Sequence, residues 1–148
     1  MSSTYWPTVW MGIKDKLMTD LAAIVDDRGD VVFKAIYFGK KAQPKEFPCA
    51  IVRAETIRTR STSARSSQFP MIFDVRVISK NEDPEEGVEE VLVNLGRISR
   101  LCEDDRQWGG WTDTVEPYTI IPDVERRAVR TRHEGSIVIT FMRYVLPI

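Results

Sequence analysis

The sequence predicts an α+β domain: a mainly antiparallel sheet with two amphipathic helices packed on it and a long protruding β-hairpin. Three observations carry that expectation. Stretches 7–27 and 85–103 repeat apolar residues three and four positions apart, the spacing of a helix with one buried stripe. In the run that follows Gln68, Phe69, Met71, Phe73, Val75 and Val77 alternate with Ile72, Asp74, Arg76 and Ile78, the period of a strand with one face in the core. Finally, two strand-like runs, starting at Cys49 and ending at Lys80, flank the polar, basic segment Arg58–Gln68, which reads as a hairpin with a long tip.

The first helix starts at Pro7, whose missing N–H costs nothing in a first turn, and its stripe is Trp10, Ile13, Leu17, Leu21, Ile24 and Val25, with Gly29 as the stop. The acidic cluster Asp26–Asp30 reads as a solvated helix end, because it lacks the spaced oxygen ligands of a cation loop. Val31–Phe38 is the first strand, and the lysine-rich stretch Gly39–Lys45 is a basic turn. In the hairpin arm before the tip, alternation fades after Arg53, so its distal half is expected to leave the sheet. The Ser/Thr-rich tip has too few apolar residues to fold on itself.

Asn81–Pro84 opens the second helix, whose stripe is Val88, Val91, Leu92, Leu95, Ile98 and Leu101. Acids crowd its start and Arg97 and Arg100 its end, complementing the helix dipole. Trp108-Gly109-Gly110-Trp111 is a sharp turn with two indoles over the core. Strands are expected at Val115–Asp123, Arg126–His133 and Ser136–Leu146, the last two joined by a Glu134-Gly135 turn. In the final strand Ile137, Ile139 and Phe141 share one face and Val138, Met142, Tyr144 and Leu146 the other. A strand apolar on both faces is either covered twice or has one face awaiting a partner.

The chain has 148 residues and reads as one domain, 1–148. A net charge of −1 gives it no long-range pull toward nucleic acid or anionic membrane, so only local clusters can steer a partner. The start, Met1–Pro7, has neither the basic n-region nor the apolar run of a signal peptide, and no run reaches the ~20 apolar residues of a membrane span. Cys49 and Cys102, far apart and on apolar flanks, are expected to be buried free thiols in a protein made in a cytoplasm.

No motif for catalysis emerges. The single histidine, His133, has no nucleophile elbow or cysteine signature beside it and reads as a surface strand residue. One histidine and two remote cysteines do not complete a zinc site, and no glycine-rich phosphate loop is present, so neither metal nor cofactor is expected. Asp123 and Glu125 are similar to part of the acidic core of a metal-dependent nuclease, but no lysine follows Lys80 to complete it. Two basic features remain, the tip with Arg58, Arg60 and Arg65 and the segment with Arg126, Arg127, Arg130 and Arg132. They suit protein contact, solvation or phosphate contact. Aromatic residues are not interleaved with the arginines, which argues against a base-stacking platform.

The order of these elements resembles the tail-terminator (tail-completion) proteins of long-tailed bacteriophages, the minor tail protein U superfamily. An amphipathic helix leads to a strand and then to Phe47-Pro48-Cys49-Ala50-Ile51-Val52. The hairpin returns along Phe73–Ser79 to the acidic loop Asn81–Asp83, and a helix closes on the turn Leu101–Gly110 before the C-terminal strands. The Ser/Thr/Arg tip and the aromatic start Tyr5-Trp6 have no counterpart in that pattern. The resemblance implies a non-enzymatic virion protein of the neck, assembled in the host cytoplasm. It would form a ring, usually hexameric, that caps the tail-tube protein, ends polymerisation and docks the head–tail connector protein. DNA would pass through the lumen without sequence-specific binding. Another neck ring protein is the alternative. For a ring, the residues offered as interface are Arg58, Arg60 and Arg65 of one subunit against Glu82, Glu85, Glu86 and Glu89 of the next, with Arg126, Arg130 and Arg132 as a second basic patch.

Overall fold

A computed structural model describes residues 6–39, 43–57, 60–63, 66–115, 119–122 and 131–145. The elements run α1 (Trp6–Ala22), β1 (Ala35–Phe38), β2 (Cys49–Ile57), β3 (Arg60–Ser63), β4 (Ser66–Lys80), α2 (Pro84–Asp104), a 3-10 turn (Trp108–Gly110), β5 (Thr114–Val115), β6 (Thr119–Ile121) and β7 (Arg132–Val145). They form one seven-stranded sheet in the order β1-β2-β4-β7-β5, with β3 added to β4 and β6 to β7. The α+β class holds: the sheet is antiparallel except for β1, which runs parallel to β2 in the register Ala35↔Cys49. The axis of the sheet is the β4–β7 pair, continuous from Ser67↔Val145 to Lys80↔Arg132.

Period-two alternation on β4 sends Met71, Phe73, Val75 and Val77 into the core, and on β7 it sends Ile137, Ile139 and Phe141 to the same side. Val9, Ile13, Leu17 and Leu21 of α1, one residue per turn, cover them from above. A run of aromatic contacts ties the layers together. Trp10 stacks on Phe73, Phe73 meets Phe141 edge-on, and Phe141 meets Trp108, with centroid separations of 5.7, 5.6 and 5.0 Å. Trp108 is fully buried and its Nε1 donates to the Ile13 carbonyl at 3.1 Å, so this indole is inside the core and pins the post-α2 turn to α1.

Several expected boundaries move, each for a local reason. Helix α1 stops at Ala22 because the Asp26 carboxylate takes the N–H groups of Arg28 (2.8 Å) and Asp30 (3.0 Å), closing a turn that a helix could not contain. The chain then reverses through Gly29 at φ 85°, and Val25 and Val31 form a β-bridge, so the first strand is shortened to Ala35–Phe38. In α2 the buried stripe is Gly87, Val91, Asn94, Leu95, Ile98, Ser99 and Cys102, rotated from the expected one, and Leu92 is 43% exposed. Its last turn carries no basic residue, so dipole complementarity holds at the N-terminus alone.

The largest correction concerns β7. Glu134 and Gly135 lie inside the strand and form no turn, opposite Ile78 and Val77. A Cβ on Gly135 would stand 2.7 Å from Val91 Cγ1 and 2.9 Å from Leu95 Cδ1, so the glycine lets α2 approach the sheet. His133 is half-buried, not a surface strand residue. Its Nε2 lies 3.0 Å from the Asn81 carbonyl, and its ring occupies the space a side chain at Gly87 would need. The expected strand Val115–Asp123 is present as β5 and β6, and Arg126–Arg130, with Asp123 and Glu125, lie outside the described residues.

Candidate protein–protein interface

The hairpin does not leave the sheet as expected. β2 stays paired to β4 as far as Ile57↔Met71, across a bulge at Glu55, and β3 then pairs Arg60↔Gln68, Ser61↔Ser67 and Ser63↔Ser66. Backbone hydrogen bonding needs no apolar side chains, and β7 supports β4 out to Ser67↔Val145, so a polar Ser/Thr tip can still be ladder. Met71 and Phe141 form a row with both side chains fully buried. Residues 66–70 of β4 run on past it, an arm of ~17 Å at ~3.4 Å per residue. The backbone of Arg60 lies on this arm, while Arg58 and Arg65 fall outside the described residues.

At the opposite end of β4 sits the start of α2. Asp83 caps it, its Oδ1 accepting the N–H of Glu85 at 3.0 Å and of Glu86 at 3.5 Å. Glu82, Glu85, Glu86 and Glu89 are all exposed, and the Asn81 amide donates to Glu86 (3.4 Å) and Glu90 (3.1 Å), holding two carboxylates on one side of the helix. The described ion pairs join Lys14–Asp15, Lys16–Asp20, Lys16–Asp105, Arg53–Glu55 and Arg53–Asp74. None of them neutralises the acids at the start of α2. Arg132 stands opposite Lys80 in the β4–β7 ladder and its guanidinium stacks over the Phe47 ring at 4.8 Å, while Arg126 and Arg130 lie outside the described residues.

A groove runs between this end of α2 and the 25–34 segment. Val31, Val32, Pro48 and Val93 form its apolar lining. Val31 and Val93 are 59% and 52% exposed, unusual for valine. Asp26, Glu86, Glu89 and Glu90 also line it, against Lys34 and Arg97, which leaves a formal charge of −2. This groove is not evident from the sequence. The one available signal was Val93, an apolar residue off the helical stripe.

The sheet face away from the helices divides into two parts. At the α2 end, Cys49, Ile51 and Ile78 make a small second core with Tyr37 and Phe47 over it. Toward the arm, Arg53 forms an ion pair with buried Asp74, and beyond them Ile72, Val138 and Met142 are half-buried and Tyr144 is 49% exposed. The two-faced apolar pattern of the last strand thus corresponds to one buried face and one open to contact.

Burial pushes the Cys49 thiol up to about 11 and the Cys102 thiol up to about 12, so both are protonated and weakly nucleophilic. Both are free and buried, as the sequence suggests. No cluster of three His, Cys, Asp or Glu side chains fit to hold a metal occurs among the described residues. Those residues also include no helix long and apolar enough to cross a membrane. The sequence matches no protein-family model and shows no significant similarity to a curated protein.

Proposed function

We propose that this chain is a structural virion protein of a long-tailed phage, forming a ring that caps the tail tube, ends its polymerisation and provides the docking surface for the head-side connector. The observation that carries this reading is the arm: about 17 Å of hydrogen-bonded strand continuing past the Met71–Phe141 row. Ordering such an extension costs conformational entropy, which contact with another chain laid along it would offset. The open face of β4 and β7, with Ile72, Met142 and Tyr144, adds a contact surface next to it. The order of elements, which resembles that of the tail terminators, supplies the particular assembly. In this role the protein catalyses nothing and takes no cofactor, and its partners are other copies of itself, the tail-tube protein and the connector. DNA crosses the lumen without sequence-specific contact. The ring acts in the tail neck of the virion.

Purified protein added to polymerising tail-tube subunits tests the reading. Electron microscopy is expected to show extra density at one tube end and a shorter tube-length distribution. Tubes of unchanged length with bare ends would overturn it, and binding to connector rings alone would favour another neck ring protein.

A further inference from the structure

We propose that the groove between α2 and the 25–34 segment receives the arginine-bearing arm of a neighbouring copy of this chain. The inference deepens the ring reading and rests on it. Three observations lead to it. The groove has a formal charge of −2 and two valines more than half exposed, whereas Arg58–Gln68 carries three arginines and no acid. Glu86 and Glu90 are held in place by Asn81, so an arriving guanidinium meets carboxylates that are already positioned. Most decisive is the spacing. The groove lies at the Cys49↔Ile78 row, where Pro48 lines it, and the arm ends at the Ser63↔Ser66 row of the same strand. Ser66 and Ile78 are ~40 Å apart along β4 at ~3.4 Å per residue.

An arm that far from its own groove has to serve another molecule. Two different complementary patches at opposite ends of one subunit make a head-to-tail contact, which closes as a ring when the rotation allows. Val31 and Val93 would lie under the aliphatic parts of the arm while the carboxylates meet its arginines at the rim. Because these charges face water, added salt weakens the contact.

Two variant chains carry the test. Val93→Arg places bulk and positive charge in the groove but leaves the arm intact. Arg58→Glu/Arg60→Glu/Arg65→Glu reverses the arm but leaves the groove intact. Val93 is exposed, so its variant is expected to keep the wild-type circular dichroism and melting temperature; Glu89→Arg serves if it does not. By sedimentation, each variant alone is expected to be monomeric, and their mixture to give a species of twice the monomer mass through the one intact pair of patches. A Val93→Arg chain that assembles like wild type would overturn the groove while leaving the ring standing, and so would a mixture that stays monomeric. Should the wild-type chain itself be monomeric, the ring reading fails separately. The groove is then judged by a labelled peptide of residues 57–68 titrated against the reversed-arm chain. Val93→Arg in that background is expected to weaken binding about tenfold or more, as loss of a central contact does. Equal binding with and without the substitution would overturn the groove.

Discussion

Gly135→Ala probes the packing of α2 on the sheet with a single added carbon. The new Cβ would lie 2.7 Å from Val91 Cγ1, 2.9 Å from Leu95 Cδ1 and 3.0 Å from the Ile121 carbonyl oxygen. Val91 and Leu95 are 0% and 1% exposed and cannot swing into solvent, and the carbonyl belongs to β6 in the same sheet. Relief therefore requires a shift of helix or strand, the situation in which one extra carbon costs about 1–3 kcal/mol. The lower chain entropy of alanine returns roughly 0.5–1 kcal/mol, because Gly135, unlike Gly29, Gly39, Gly109 and Gly110, has no positive φ to lose. A net loss of about 1–2 kcal/mol remains, on the order of 5 °C in melting temperature at this chain length. Urea unfolding at one protein concentration measures it. Val91→Ala, costing about 2 kcal/mol alone, makes room for the added carbon, so the double variant is expected to lose about 1 kcal/mol less than the sum. Unchanged stability for Gly135→Ala, or strict additivity, would show that α2 does not rest on this glycine.

Other consequences are smaller or more local. Asp83→Ala removes the cap of α2 and is expected to cost about 1 kcal/mol by the same unfolding assay. Trp108→Phe loses the bond to the Ile13 carbonyl and part of a buried ring, for about 2 kcal/mol in total, and should also expose the start of the 3-10 turn to hydrogen exchange. The two thiols give a pH signature. Their folded values, about 11 and about 12, lie above the ordinary 9.0, so the unfolded chain releases these protons first. Their contribution to stability is complete below pH 9 and is lost as pH rises toward 11–12, with a slope of up to about 2.7 kcal/mol per pH unit for the pair. Replacing both with alanine should remove that slope, and a thiol reagent at pH 8 should label the native protein only as fast as it unfolds.

Much of the fold was readable because its core strands follow period two without interruption. Met71 to Val77 and Ile137 to Phe141 fall on the core side as their alternation requires. Three features were hidden for physical reasons. Glu134-Gly135 has the composition of a turn, yet the glycine serves close approach of a helix, which no local pattern reveals. The rotation of α2 depends on burying Gly87 and Asn94, residues that carry no hydrophobic signal. The polar tip looked unable to fold because alternation reports burial, whereas β3 pairs with β4 through a backbone ladder that alternation does not report. Of the proposed interface, the acidic start of α2 and the basic tip were both legible as charge. The ~40 Å that separates them along β4, and the exposed valines beside the acids, required the tertiary arrangement.

The mass of the protein in solution, measured at low and high salt for the wild-type chain and for Arg58→Glu/Arg60→Glu/Arg65→Glu, tests head-to-tail assembly most directly. The wild type is expected to run as a closed oligomer that dissociates as salt rises, and the reversed-arm chain to run as a monomer throughout. A wild-type chain that is monomeric at every salt concentration, or an oligomer indifferent to reversal of the three arginines, would contradict it.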